Sequence, residues 1–60
     1  MLKIEFKTGN AYLRTEDDEV DMYVVAEMLR DIADTIENGS ESGVVMDGNG
    51  NKIGTYKLED

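Results

Sequence analysis

"VVMDGNGNKIG", Val44 to Gly54, is the stretch whose reading decides the fold. Two short runs of β-forming residues flank its Asp-Gly-Asn-Gly-Asn centre. Asn-Gly between such runs is the strongest short-range hairpin signal, because both residues tolerate positive φ. The same stretch alternates Asp47, Asn49 and Asn51 with glycines, as oxygen ligands alternate in a calcium-binding EF-hand loop. That loop requires glycine at its sixth position and glutamate at its twelfth. Counted from Asp47, those positions hold Lys52 and Leu58, and Glu59 comes one place late. The flanks read as strands, whereas an EF-hand loop joins helices. A hairpin turn is the reading adopted, with a weak calcium-binding module as an alternative.

Downstream of the turn, Lys52 to Leu58 is the last strand. Gly54, Tyr56 and Leu58 share one face and form its expected core side, with Gly54 leaving room for the helix backbone. Ile53 falls on the opposite face, exposed or shifted inward by a bulge beside the turn. Upstream, Met22, Val25, Leu29, Ile32, Ala33 and Ile36 recur at steps of three and four, the period of one helix face. Asn38-Gly39 closes this helix, with Gly39 free to become left-handed. The spacing predicts a helix over Glu19–Asn38. "TEDDEVD", Thr15 to Asp21, is expected to form its start, with Thr15 or Asp18 as cap and acids facing the positive end of the helix dipole.

At the other end, Leu2, Ile4 and Phe6 alternate with Lys3, Glu5 and Lys7, the pattern of a half-buried strand. Thr8-Gly9-Asn10 reads as a turn. Ala11 to Arg14 fits either a short sheet extension or a loop on the core edge. The order strand, helix, strand, strand predicts an α+β fold: a single helix packed on a three-stranded sheet with a C-terminal hairpin. The last strand is expected in the middle. A right-handed crossover then makes the first two strands parallel edges. An all-antiparallel order with the second strand central is the alternative.

The chain has 60 residues, so one domain, residues 1–60, is expected. It has no cysteine or histidine. That removes disulfides, thiolate metal sites and the commonest general base. Paired carboxylates alone suggest glycoside chemistry, but so short a chain forms no cleft around a sugar. No enzyme activity and no cofactor are expected. A chain this small is marginally stable, and with disulfides excluded a second subunit is the leading support, so a homodimer is one expectation. An edge strand or the Tyr12–Leu13 region is its expected interface.

Fourteen acidic residues against six basic ones give a net charge of −8. Such a chain repels nucleic-acid phosphates and attracts basic protein surfaces. Glu27, Asp31 and Asp34 form one acidic stripe at helical spacing. Glu16, Asp17, Asp18, Glu19 and Asp21 lie just upstream. Together these eight are the candidate partner-binding residues, a charge row that imitates a nucleic-acid backbone. An ordinary solvated helix face is the plainer reading. Tyr12, Tyr23 and Met28 are weaker interface candidates, with at least one of them expected as core filler. No apolar run approaches the ~18 residues that span a membrane. The start carries no signal-peptide pattern, so a cytoplasmic location is expected.

Three segments carry a resemblance: "KIEFKTGNAYL" (3–13), "VVAEMLRDIADTIENG" (24–39) and "VVMDGNGNKIGTY" (44–56). In this order they resemble small proteins encoded by phages and mobile elements of Gram-positive bacteria. That resemblance implies no particular activity, cofactor or catalytic residue. It implies the interior of a bacterial host, where small acidic proteins often inhibit host machinery, including restriction and CRISPR defence.

Overall fold

The structure, a computed structural model, describes residues 1–59. Strand β1 (Leu2–Phe6) is followed by a 3-10 turn at Ala11–Leu13, helix α1 (Met22–Glu37) and strands β2 (Ser42–Met46) and β3 (Lys52–Leu58). The sheet order is β1-β3-β2, and β3 is antiparallel to both neighbours. The two edge strands are therefore parallel and joined through the helix, as the crossover argument requires.

The hairpin turn is present, but it uses positive φ at one residue, not at both Asn and Gly. Asn49 does not adopt positive φ; Gly50 alone in the loop does, at 83°. Gly50 N–H donates to Asp47 O at 3.1 Å, and Asp47 N–H donates to Asn51 O at 2.9 Å. This is a three-residue loop in which a turn is closed by one left-handed glycine. Beyond it the register shifts. Val45 pairs with Gly54 but Met46 pairs with Lys52, so Ile53 is the extra residue of a bulge. The bulge turns Ile53 inward, where it is buried beside Val45 and Tyr56. Leu58, expected in the core, is 46% exposed; Tyr56, two residues before it, already meets the end of the helix at Thr35 and Ser40.

Gly54 has a different role from the one expected. A β-carbon there would meet the backbone of β1, 2.0 Å from Glu5 O and 2.5 Å from Phe6 Cα, not the helix. The glycine allows two strands to approach, not a strand and a helix.

The helix starts at Met22, three residues later than expected, and its cap is Asp21. The Asp21 carboxylate accepts from Tyr23 N–H at 3.1 Å and Val24 N–H at 3.4 Å. The segment before it is a closed turn. Thr15 N–H donates to Glu19 O, Glu19 N–H donates to Thr15 Oγ1, and Arg14 and Val20 form a β-bridge. Asp18 sits at φ 59°, a left-handed conformation that Asp tolerates better than most residues and that a helical residue does not adopt. Thr15 and Asp18 thus shape the turn and cap nothing. At the far end Ser40 N–H reaches Thr35 O and Gly39 N–H reaches Ile36 O. This paired closure with Gly39 left-handed is the Schellman arrangement.

The core comprises Leu13, Met28, Ile32, Val45, Ile53 and Tyr56, with Phe6, Val24, Val25 and Ile36 packed against it. Leu13 is fully buried, so the ambiguous Ala11–Arg14 segment is a loop that plugs the core. That removes Leu13 from any interface. The helix also sits rotated from its expected face. Met28 is buried, whereas Leu29 is 43% exposed, Met22 68%, and Ala33 exposed. Two attachments set this rotation. Asp21 N–H donates to Leu13 O at 2.7 Å. Near the other end the buried Tyr56 hydroxyl donates to Thr35 Oγ1 at 3.0 Å and lies 2.8 Å from Ser40 Oγ.

Candidate functional site

The eight acidic candidates fall into two groups and a cap. Glu16, Asp17, Asp18 and Glu19 are exposed on the Thr15–Glu19 turn. Arg14 holds this turn in place: its guanidinium donates to Asp18 O at 2.9 Å and to Thr8 O at 2.8 Å. A single arginine preceding five acids in seven residues is the sequence signal for that clamp, and charge counting alone does not reveal it. The clamp uses the backbone carbonyl of Asp18, so its carboxylate remains available. Asp21 is half-buried and committed to the helix N-terminus.

The second group lies on α1. Glu27, Asp31 and Asp34 are exposed and fall within an arc of about 60° at 100° per residue. Steps of four and three residues separate them by about 6 and 4.5 Å along the axis. Arg30 donates to Glu27 Oε1 at 2.7 Å, an exposed pair. Such a pair contributes only a few tenths of a kcal/mol, so a partner can displace it. Asp31 borders a cleft of about 130 Å³ between α1 and β2, with Val44 and Met46 across from it.

The remaining charges complete a segregated surface. Residues 15–38 hold nine acids and one base, Arg30. All four lysines are elsewhere: Lys3, Lys52 and Lys57 in the strands and Lys7 just after β1. Lys3 and Lys57 are direct cross-strand partners and so share the outer face of the sheet. The weaker interface candidates separate as well. Met28 is core, Tyr23 is 74% exposed, and Tyr12 is 41% exposed with its ring against Gly48 of the hairpin loop.

Asp47, the first residue of the calcium-like stretch, is buried. Its Oδ1 accepts from Asn49 N–H at 2.8 Å and Asn51 N–H at 2.9 Å. Its Oδ2 accepts from Asn10 Nδ2 at 2.5 Å and Asn51 Nδ2 at 3.3 Å. Four N–H donors converge where a calcium loop would gather oxygens around a cation. Among the described residues no group of three acidic side chains is placed to hold a metal. The carboxylate instead organises the hairpin loop and ties it to the turn after β1. Asn10 and Asp47 are both turn-forming types, but only the folded chain shows that they meet.

The Asn51 backbone N–H, aided by the other three donors, holds the Asp47 carboxyl below the usual carboxylate value, against the opposing effect of burial. A lowered folded-state pKa stabilises the fold above the unfolded pKa, and that stabilisation disappears as pH falls through the folded value. Wild type should therefore be more stable than Asp47→Asn at neutral pH. The gap should narrow below about pH 4, where free carboxylates protonate. Urea midpoints of both proteins across this range test it; a constant gap would show that the charge contributes nothing.

Comparison with protein-family models, with curated proteins and with solved structures returns no match.

Proposed function

We propose that this chain is a small acidic binding protein of the phage or mobile-element type that acts by protein–protein interaction, without catalysis. Its partner is a protein with a basic surface, of the kind that nucleic-acid-binding and host-defence proteins present to phosphates. The observation that carries this reading is the charge segregation: nine acids against one base over residues 15–38, and every lysine on or beside the sheet. An acid excess serving only solubility has no need to be sorted in this way.

An interaction of this kind is salt-dependent. Screening lengths fall from about 10 Å at 0.1 M to about 3 Å at 1 M. The immobilised protein should capture its partner from bacterial lysate at the lower salt and release it at the higher. Reversing Glu27, Asp31 and Asp34 to lysine should abolish capture while far-UV circular dichroism stays unchanged. A folded variant with undiminished capture would rule out the helix stripe as the binding surface.

A further inference from the structure

The sequence carries a wider apolar helix stripe than the folded chain covers. At 100° per residue, Met28 and Ile32 centre the buried arc of α1. Asp31 lies about 80° to one side and Leu29 about 80° to the other. Asp31 borders the cleft with β2, so Leu29 and its neighbour Ala33 occupy the shoulder towards β1. The inner face of β1 is equally uncovered. Leu2 is 47% exposed and Ile4 37%, and Leu58, the cross-strand partner of Leu2, is 46% exposed. The uncovered shoulder and the uncovered strand end flank the core on its β1 side, where Ile4 is the cross-strand partner of the buried Tyr56.

From this surface we infer a homodimer, in which the α1–β1 side of one copy covers the same side of a second. Area argues for this occupant. A monomer of 6.7 kDa is expected to expose about 3,900 Å², whereas this chain exposes 4516 Å². The excess of about 600 Å² approaches the ~800 Å² that each partner buries in a standard interface. The shape agrees: the radius of gyration is 12.0 Å, against about 10 Å for a compact chain of this length. Charge does not oppose self-pairing here. Asp31 and the acidic stripe lie on the opposite shoulder, and Lys3 and Lys57 lie on the outer face of the sheet, so the acids nearest the patch are Glu37, one turn beyond Ala33, and Glu41, whose carbonyl accepts from Leu58 N–H at its edge. A symmetric pair uses the same patch twice, so an uncharged apolar patch suits it. The dimer also leaves both acidic shoulders free, and it stands or falls independently of what they bind.

Sedimentation equilibrium on the full chain tests the inference. At micromolar and higher concentrations the mass should be twice the 6.7 kDa of one chain. The urea midpoint should rise with protein concentration, as it does when association stabilises a fold. Leu29→Glu should return the mass to a single chain while retaining the helical circular dichroism signal. Val44→Glu, at a residue 51% exposed on the β2 side, should remain dimeric. A wild-type monomer at high micromolar concentration overturns the inference. So does a Leu29→Glu variant that remains a dimer, or a Val44→Glu variant that alone dissociates.

Discussion

Gly54→Ala is expected to abolish the cooperative unfolding transition, or to lower stability by at least about 3 kcal/mol, the range of severe backbone and packing lesions. The central strand has no room for one methyl group at this point. The added carbon would lie 2.0 Å from Glu5 O and 2.5 Å from Phe6 Cα, and neither atom belongs to a side chain that can swing away. Relief requires β1 to withdraw from β3 where Lys7 N–H still donates to Ile53 O at 2.9 Å. Withdrawal there opens the β1–β3 ladder and unseats the bulge that holds Ile53 in the core. Gly9→Ala is the matched control, since nothing lies within 4 Å of its built β-carbon. There the loss of unfolded-chain entropy should leave stability unchanged or raised by up to about 1 kcal/mol. Thermal melts of the two variants separate these outcomes. A Gly54→Ala protein melting beside wild type would mean that the strands are not in this register.

The fold was largely legible because its signals are local. Alternation in β1, the three-and-four spacing in α1 and Asn-Gly in the hairpin each depend on neighbours in sequence, whereas strand order stayed open between a central last strand and a central second strand until the folded chain placed β3 in the middle. Parity also marks Ile53 as out of phase with Tyr56, exposed or shifted inward, and the bulge decides for the inward position. Features set by distant contacts were not legible. The rotation of α1 depends on Leu13 O and the Tyr56 hydroxyl, which hold its two ends, so spacing placed Leu29 inside and Met28 beside the core when the reverse holds. The helix starts only at Met22, behind the Asp21 cap, because the preceding residues form a closed turn with Asp18 left-handed and its carbonyl bonded to Arg14.

The acidic surface shows the same division. Its composition and helical spacing are visible in sequence, and the exposed stripe lies where that spacing puts it. The separation of acids from lysines is partly visible too, because the lysines fall in strand-like runs. What spacing cannot distinguish is a carboxylate left free from one already used. Asp21 and Asp47 belong to the second kind: each is satisfied by backbone N–H groups, and each holds an element in place. The charge available to a partner is therefore smaller than the composition suggests, and it is concentrated on the turn and on one shoulder of α1.

Leu13→Ala is expected to cost about 2–5 kcal/mol, the range for truncating a buried leucine. A chain of this length has only about 3–9 kcal/mol of stability at ordinary per-residue values, so the variant should be partly or wholly unfolded at room temperature. Among the described residues Leu13 is the one fully buried large side chain, with 0% exposure, and it comes from a loop, not from the helix or sheet. Its position is held by its own backbone. Leu13 N–H donates to Asn10 O, and Leu13 O accepts from Asp21 N–H where the helix begins. Collapse of the loop into the vacated space would therefore pull on the helix cap, so little of the cavity can close and the cost should fall in the upper part of the range. Tyr23→Ala, at a residue 74% exposed in the first turn of α1, should change stability by less than about 0.5 kcal/mol. Urea denaturation of both variants gives the comparison. Equal midpoints would mean that the Ala11–Leu13 turn lies on the surface and that the core closes without it.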